Sequence, residues 1–94
     1  MPEKFELAQN YPNPFNPSTQ IPFTLNLPGK VEIKIFDLKG REVAILLNDN
    51  KEAGLHSVMW KGEDSFGNQM PSGIYIYQIK SNGFIKSKKM HLIK

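Results

Sequence analysis

The chain has 94 residues, a formal net charge of +3 and a hydrophobic fraction of 39%. This length allows one domain with a single small core and no more. The apolar residues are mostly of strand-forming types, alanine is rare, and no long stretch has helical spacing, so the composition predicts an all-β fold. The absence of cysteine excludes disulfides, thiolate metal sites and a cysteine nucleophile.

Residues 1–18 are predicted to be a proline-rich lead-in packed on a sandwich that spans residues 19–94. Between residues 5 and 18, three prolines lack a backbone N–H and exclude a helix interior or a central strand: Pro12, Pro14 and Pro17. We expect a stiff, irregular segment that Tyr11 and Phe15 fasten to the domain. A proline-rich ligand for SH3-type domains is the alternative, but no PxxP motif with basic flanks occurs.

Alternating apolar residues predict strands over residues 19–25, 31–36 and 41–47. Pro22 should place the first of these at a sheet edge, or at least turn its missing donor outward. A type I turn is predicted over residues 37–40. The return strand should carry three residues on one face: Val43, Ile45 and Leu47.

Residues 48–54 are predicted to form a polar loop. It should end at Gly54 in a backbone conformation that residues other than glycine rarely adopt. A strand over residues 55–61 should follow, with Val58 and Trp60 buried. After a long connection over residues 62–73 comes the next strand.

The strand predicted over residues 73–80 is apolar on both faces, which places it near the middle of a sheet. Asn-Gly at 82–83 suits a hairpin turn. The last strand, residues 84–93, loses its alternation between Ile85 and Met90, which predicts a bulge there. Met90 and Leu92 should then face inward.

These six or seven short strands, spaced by roughly 8–12 residues, predict an immunoglobulin-like antiparallel β-sandwich of about seven strands. The Cys…Trp…Cys spacing of antibody domains is missing, so the pattern indicates the architecture only. No apolar run reaches the roughly 20 residues that span a bilayer. The N-terminus does not begin a signal peptide, so the protein either stays in the cytosol or is a piece of a larger chain.

No group of residues has the spacing of a catalytic or metal site. His56 and His91 lack a second ligand at a suitable distance, and Glu63 and Asp64 lie among turn residues. Residues 48–50 supply oxygen atoms but not the spaced acids of a calcium loop, so a weak calcium site stays open as an alternative. We therefore expect no enzyme activity, no cofactor and no bound metal.

Two further features have competing interpretations. Exposed aromatics could bind sugars, but a sandwich this small needs its large residues inside, so we expect these three in the core: Trp60, Tyr75 and Tyr77. Lysines gather near the C-terminus at Lys80, Lys86, Lys88, Lys89 and Lys94. They lack the interleaved aromatics of a nucleic-acid site and are typical of the solvated face of a last strand.

The stretch from Leu7 to Thr19 carries a long and unusual string, Tyr-Pro-Asn-Pro at 11–14 followed by Phe-Asn-Pro-Ser-Thr at 15–19. It resembles the opening of the type A C-terminal sorting domain of the type IX (Por) secretion system. Further matches follow in chain order: residues 31–37, Gly-Arg-Glu-Val-Ala at 40–44, Ala-Gly at 53–54, Pro-Ser-Gly-Ile-Tyr at 71–75 and Lys-Met-His-Leu-Ile-Lys at 89–94. The pattern is also similar to the immunoglobulin-like domain of the flagellar hook-capping protein. His91 departs from the small aliphatic residue of many relatives.

The resemblance implies a non-catalytic module at the C-terminus of a larger secreted protein, often a hydrolase or adhesin, of Bacteroidetes-type bacteria. Such modules are recognised in the periplasm by the secretion machinery, carried through the outer membrane and in many cases cleaved off at the cell surface. We expect a monomer that binds protein partners, not nucleic acid. The residues expected to serve sorting and partner recognition are Tyr11, Pro12, Asn13, Pro14, Pro71, Gly73, Tyr75, Lys86, Lys88, Lys89, Met90, Leu92 and Lys94.

The last strand is expected to place its lysines on an outer face and to offer a receptor its free backbone groups at a sheet edge. Deletion of residues 89–94 should then abolish secretion of a fused reporter. Two alternatives remain: a structural module of the hook-capping type, and an accessory, glycan-contacting module of a secreted polysaccharidase.

Overall fold

The computed structural model describes residues 4–94, which form seven strands and no helix. The strands are β1 Glu6–Leu7, β2 Thr19–Leu25, β3 Gly29–Phe36, β4 Glu42–Lys51, β5 Gly54–Trp60, β6 Gly73–Ser81 and β7 Phe84–Leu92. They make two antiparallel sheets, one in the order β1-β2-β5 and the other in the order β4-β3-β6-β7. The predicted immunoglobulin-like sandwich is confirmed. Within residues 4–94 there is accordingly no helix that could cross a membrane.

β2 is the middle strand of the three-stranded sheet, so the placement of Pro22 at an edge is wrong. The Ala8 amide donates to the Pro22 carbonyl at 3.0 Å, but Pro22 has no N–H to return to the Ala8 carbonyl. The Tyr77 hydroxyl donates to that carbonyl instead, at 2.7 Å. A proline is tolerated here because a side chain from the other sheet replaces the missing ladder bond.

β4 is longer and less regular than predicted. It runs to Lys51, so residues 48–51 are strand and not loop, because they pair with the start of β3. Its register against β3 shifts twice, between Ile33 and Lys34 and between Ile35 and Phe36. These irregularities separate the three residues expected on one face, so that Val43 is buried while Ile45 is half exposed.

β6 lies between β3 and β7, as its two apolar faces predicted. Asn82 and Gly83 both have positive φ, at 50° and 82°, which fits the type I′ turn of a two-residue hairpin. The pairing of β6 with β7 then continues from Ser81 opposite Phe84 to Gly73 opposite Leu92 without a shift. The predicted bulge in the last strand is therefore wrong.

The core fills the space between the sheets. Trp60 is 2% exposed, and its ring lies 5.6 Å from that of Phe15 and 5.2 Å from that of Tyr75. Tyr77 is fully buried, so the prediction that Trp60, Tyr75 and Tyr77 belong to the core is confirmed. Met90 and Leu92 also face inward, as expected, whereas Val58 is only half buried.

Two aspartates organise exposed turns through bonds to the backbone. The Asp37 carboxylate accepts from the Lys39 and Arg41 amides at 2.9 and 3.0 Å, and Arg41 Nε donates to it at 2.9 Å. Asp64 accepts from the amides of Phe66 and Asn68, both at 2.9 Å. The backbone bond from Arg41 lowers the pKa of Asp37, and the one from Asn68 lowers the pKa of Asp64.

These carboxylates should make stability dependent on acid pH. Because each pKa is lowered in the folded state, the stabilisation is present above the ordinary value of 3.8 and is lost as the pH falls through the folded value. Thermal melts between about pH 5 and pH 2 should show a falling midpoint. In the double variant Asp37→Asn, Asp64→Asn the midpoint should fall less, because an amide does not titrate. Equal pH slopes in the two proteins would contradict this assignment.

Candidate interaction surface where the chain ends meet

The lead-in crosses from one sheet to the other and pairs with the last strand. The Phe15 amide donates to the His91 carbonyl at 3.0 Å, and the Ile93 amide donates to the Phe15 carbonyl at 2.9 Å. These bonds form a parallel bridge between Phe15 and Leu92. Phe15 is 1% exposed, and full burial of such a side chain contributes about 1.5–3 kcal/mol. The two regions that the sequence singled out separately are thus joined in the fold.

Two side chains of the lead-in extend this pairing along β7. Asn13 Oδ1 accepts from the His91 amide at 3.0 Å, and Gln9 Nε2 donates to the Lys89 carbonyl at 2.8 Å. The outer edge of the last strand is consequently hydrogen-bonded from Lys89 to Ile93.

A buried polar cluster fixes the start of the lead-in. The Tyr77 hydroxyl, which donates to Ala8, accepts from the Asn10 amide at 2.9 Å. Asn10 Nδ2 donates to Thr19 Oγ1 at 3.0 Å, and that hydroxyl donates to the Pro12 carbonyl at 2.8 Å. Asn10 and Thr19 are each 2% exposed. Burial raises the pKa of the Tyr77 hydroxyl, which stays a proton donor.

Neither Asn10 nor Thr19 was predicted from the sequence to have a role. The Ala8 and Tyr11 backbones are bonded to Pro22 and Gln20, so Gln9 and Asn10 together face the single residue Ile21. This bulge turns the Asn10 amide away from β2 and toward Tyr77. A signal was present in the polar Asn10 directly before the Tyr-Pro-Asn-Pro string, but its partner is 67 residues away.

Several of the residues predicted to serve recognition are buried or bonded within the fold. Tyr75 is 4% exposed and donates its hydroxyl to the Pro71 carbonyl at 2.6 Å, and Gly73 pairs with Leu92. Met90 and Leu92 are core residues. Tyr11, expected to pack on the domain, is 77% exposed, because its backbone pairs with Gln20 and its side chain faces solvent.

Pro12, Asn13 and Pro14 lie at the surface beside the junction with β7. At the end of that strand, the Lys94 amide donates to Ser72 Oγ at 3.1 Å. A shallow groove of about 360 Å³ runs next to the junction. It is lined by Asn13, Leu38, Ile74, Lys89, Met90 and His91.

The sequence suggested that the lysines of β7 share one outer face, but the structure places them on both faces of the strand. The register opposite β6 places Lys86 and Lys88 on the side of Met90 and Leu92, and only Lys89 on the other side. Lys86 Nζ donates to the Phe5 carbonyl at 3.0 Å and lies 5.7 Å from the centre of the Phe5 ring. These inward positions tolerate lysine because β7 is the sheet edge, where a long side chain reaches solvent.

Acidic residues are distributed unevenly along the chain. All nine acidic residues precede Ser65, whereas the segment from Ser65 to Lys94 has five lysines and no acid. Those lysines are Lys80, Lys86, Lys88, Lys89 and Lys94. None of them takes part in the ion pairs found within residues 4–94. The β7 edge of the sandwich is therefore cationic.

The candidate residues for chemistry have ordinary structural roles. The His56 ring stacks on Phe23 at 5.4 Å, and its Nε2 lies 2.7 Å from the Glu52 carbonyl. The Asp64 carboxylate is occupied by its own turn. Within the described part of the chain, no group of three His, Cys, Asp or Glu side chains could hold a metal ion.

The fold and the junction define an immunoglobulin-like domain that presents a composite surface made from both chain ends. A model of the FlgD Ig-like domain family matches residues 13–83. The chain belongs to that family. No curated protein matches it.

Solved structures with the same fold include FlgD, PorU and PorZ. FlgD from P. aeruginosa is 29% identical over 80% of this chain and 60% of its own, with a TM-score of 0.64. Dimeric latent PorU from Porphyromonas gingivalis is 21% identical over 99% of this chain and 10% of its own, with a TM-score of 0.76. PorZ is a surface component of the type IX secretion system of that organism. It is 23% identical over 92% of this chain and 11% of its own, with a TM-score of 0.63. The chain thus spans only a small part of PorU and PorZ.

The Tyr77 hydroxyl should be needed to hold the lead-in in place. Tyr77→Phe leaves the Ala8 carbonyl and the Asn10 amide without a partner, so the free energy of unfolding should fall by about 2–3 kcal/mol. Urea denaturation measures this loss. Tyr75→Phe is the matched control, because it removes one bond to a carbonyl near the surface and should cost about 1 kcal/mol. A smaller loss for Tyr77→Phe than for Tyr75→Phe would argue against the role of the cluster.

Proposed function

We propose that this chain is a non-catalytic sorting module that directs a larger protein through the type IX secretion system to the cell surface. The observation that carries the proposal is the junction between the lead-in and β7. Asn13 and Phe15 of one stretch that resembles sorting domains are hydrogen-bonded to His91 and Ile93 of the other, so both stretches meet at the β7 edge. A receptor could therefore read both stretches at once.

Two further observations support the proposal. Immunoglobulin-like domains with this fold are parts of PorU and PorZ, in which the matched region is about a tenth of the chain. The exposed lysines Lys88 and Lys89 beside the junction have no ion-pair partner within residues 4–94 and are free to bind acidic protein groups. On this proposal the module works outside the cytoplasm as part of a larger protein, as a monomer and without cofactor.

A structural module of flagellar hook-capping type is the second candidate. It is favoured by the family itself and by the 29% identity to FlgD. This function requires binding to filament subunits and no export of a fused protein, so a secretion experiment separates the two candidates.

Deletion of residues 89–94 would be a poor test of sorting. It removes Met90 and Leu92 from the core and takes away the partners of Phe15. Loss of the fold would then abolish secretion whether or not these residues are recognised. Substitutions at exposed lysines avoid this ambiguity.

We expect the full chain, fused behind a periplasmic reporter in a bacterium with a type IX system, to carry the reporter to the cell surface. Lys88→Glu, Lys89→Glu should lower export by roughly tenfold, the size of a 1.4 kcal/mol loss in receptor affinity. The control Lys39→Glu, Lys61→Glu makes the same change in net charge at exposed positions outside β7 and should be exported normally. Surface protein and retained periplasmic protein are quantified by blotting.

Failure of the unaltered fusion to leave the periplasm would overturn the sorting proposal and favour the hook-capping candidate. Equal losses in both charge variants would show that net charge matters and the β7 surface does not.

A further inference from the structure

We infer that the open part of the β7 edge binds an extended acidic segment of a partner protein as an added strand. The inference rests on the proposed function for the setting in which that partner is met, namely the secretion machinery. It goes further by naming the free backbone groups of β7 and the chemistry of the segment.

The hairpin geometry identifies the open backbone groups. Across the two-residue turn, Ser81 and Phe84 exchange both ladder bonds, and every second residue of β7 then does the same with β6. The odd-numbered residues therefore turn their amides and carbonyls to the outer edge. The bonds of Lys89, His91 and Ile93 to the lead-in follow this pattern.

The lead-in leaves one part of this edge uncovered. Within residues 4–94, no hydrogen bond reaches the amide or carbonyl of Ile85 or Ser87, or the amide of Lys89. Ile85 is 59% exposed, and Ser87 and Lys89 are exposed as well. Three donors and two acceptors are thus free, enough to align a short strand.

The side chains beside this edge indicate what the strand should carry. Lys86 and Lys88 project on the side of Met90, and no acidic residue occurs anywhere between Ser65 and Lys94. Alternate residues of an added strand point to the same side. Acidic residues at every second position would meet these lysines, and apolar residues between them would lie beside the exposed Ile85.

Other occupants fit less well. The lysines repel a second β7 strand, since like charges opposite each other in a sheet are destabilising. Lysine on an edge strand also prevents accidental pairing with neutral strands. An acidic strand is the occupant that this arrangement attracts.

The experiment uses the full chain and a capped peptide, Ser-Val-Glu-Val-Glu-Val-Ser, with Ser-Val-Lys-Val-Lys-Val-Ser as the control peptide. Amide hydrogen exchange followed by NMR should show new protection at Ile85, Ser87 and Lys89 with the acidic peptide only. Protection at the β4 or β5 edge in place of β7 would overturn the inference.

Ser87→Pro tests the backbone bond directly. It removes a donor that faces the open edge and spares the ladder with β6, so the thermal midpoint should change little. Peptide affinity should fall by roughly tenfold. Ser87→Ala keeps the donor and should bind as the unaltered chain does.

Equal peptide binding by Ser87→Pro and the unaltered chain would show that the lysines attract acids without strand addition, which overturns the inference. Concentration-dependent protection of the same three amides without peptide would identify a second copy as the occupant and would also overturn it. Peptide binding without export of the reporter fusion would contradict the sorting proposal alone. Export without peptide binding would contradict this inference alone.

Discussion

The backbone pairing of Phe15 with His91 and Ile93 is the contact on which the two ends of this molecule depend. It seats the Phe15 ring against Trp60 and leaves Asn13 in reach of the last strand. Residues 11–17 include three prolines and have few donors for a sheet, so this segment gains order from side chains and from two short bridges, Tyr11 with Gln20 and Phe15 with Leu92. The same contact covers the end of β7 that carries the buried Met90 and Leu92.

The lead-in covers only part of the β7 edge, because it crosses between the sheets near one end of that strand. β1 pairs with β2 in the opposite sheet, and the hydrogen bonds from the lead-in to the β7 backbone begin only at Lys89. Before Lys89 the strand is protected by charge instead of by hydrogen bonds. Lys86 is partly used by the Phe5 carbonyl, whereas Lys88 and Lys89 are not engaged within the described residues. One half of β7 is covered by the lead-in and the other half carries lysines. Both features prevent an edge strand from pairing with other strands.

Much of the fold could be predicted from local pattern. Period-two alternation identified β2 and β3, a run that is apolar on both faces identified β6, and Asn-Gly identified the last turn. The errors share one cause, because each depended on a partner strand that the sequence does not name. The register shifts of β4 depend on its pairing with β3, and the position of Pro22 is acceptable only because Tyr77 supplies a bond from the other sheet. In β7 the lysines broke the apolar alternation without breaking the register.

The sequence predicted the two stretches of the candidate site separately. It could not predict that they meet, because residues in contact such as Gln9 and Lys89 are 80 positions apart. This unity changes the meaning of the resemblance to sorting domains. Asn10, Asn13 and Phe15 already have partners within the fold, and packing alone accounts for them. On the sorting proposal, a receptor distinguishes this domain from other immunoglobulin-like domains through side chains that the fold does not require. Tyr11, Pro14, Lys88 and Lys89 meet that condition, because all four are exposed. The proposal therefore assigns recognition to these residues, and it assigns to the buried members of the motif the role of holding them in position.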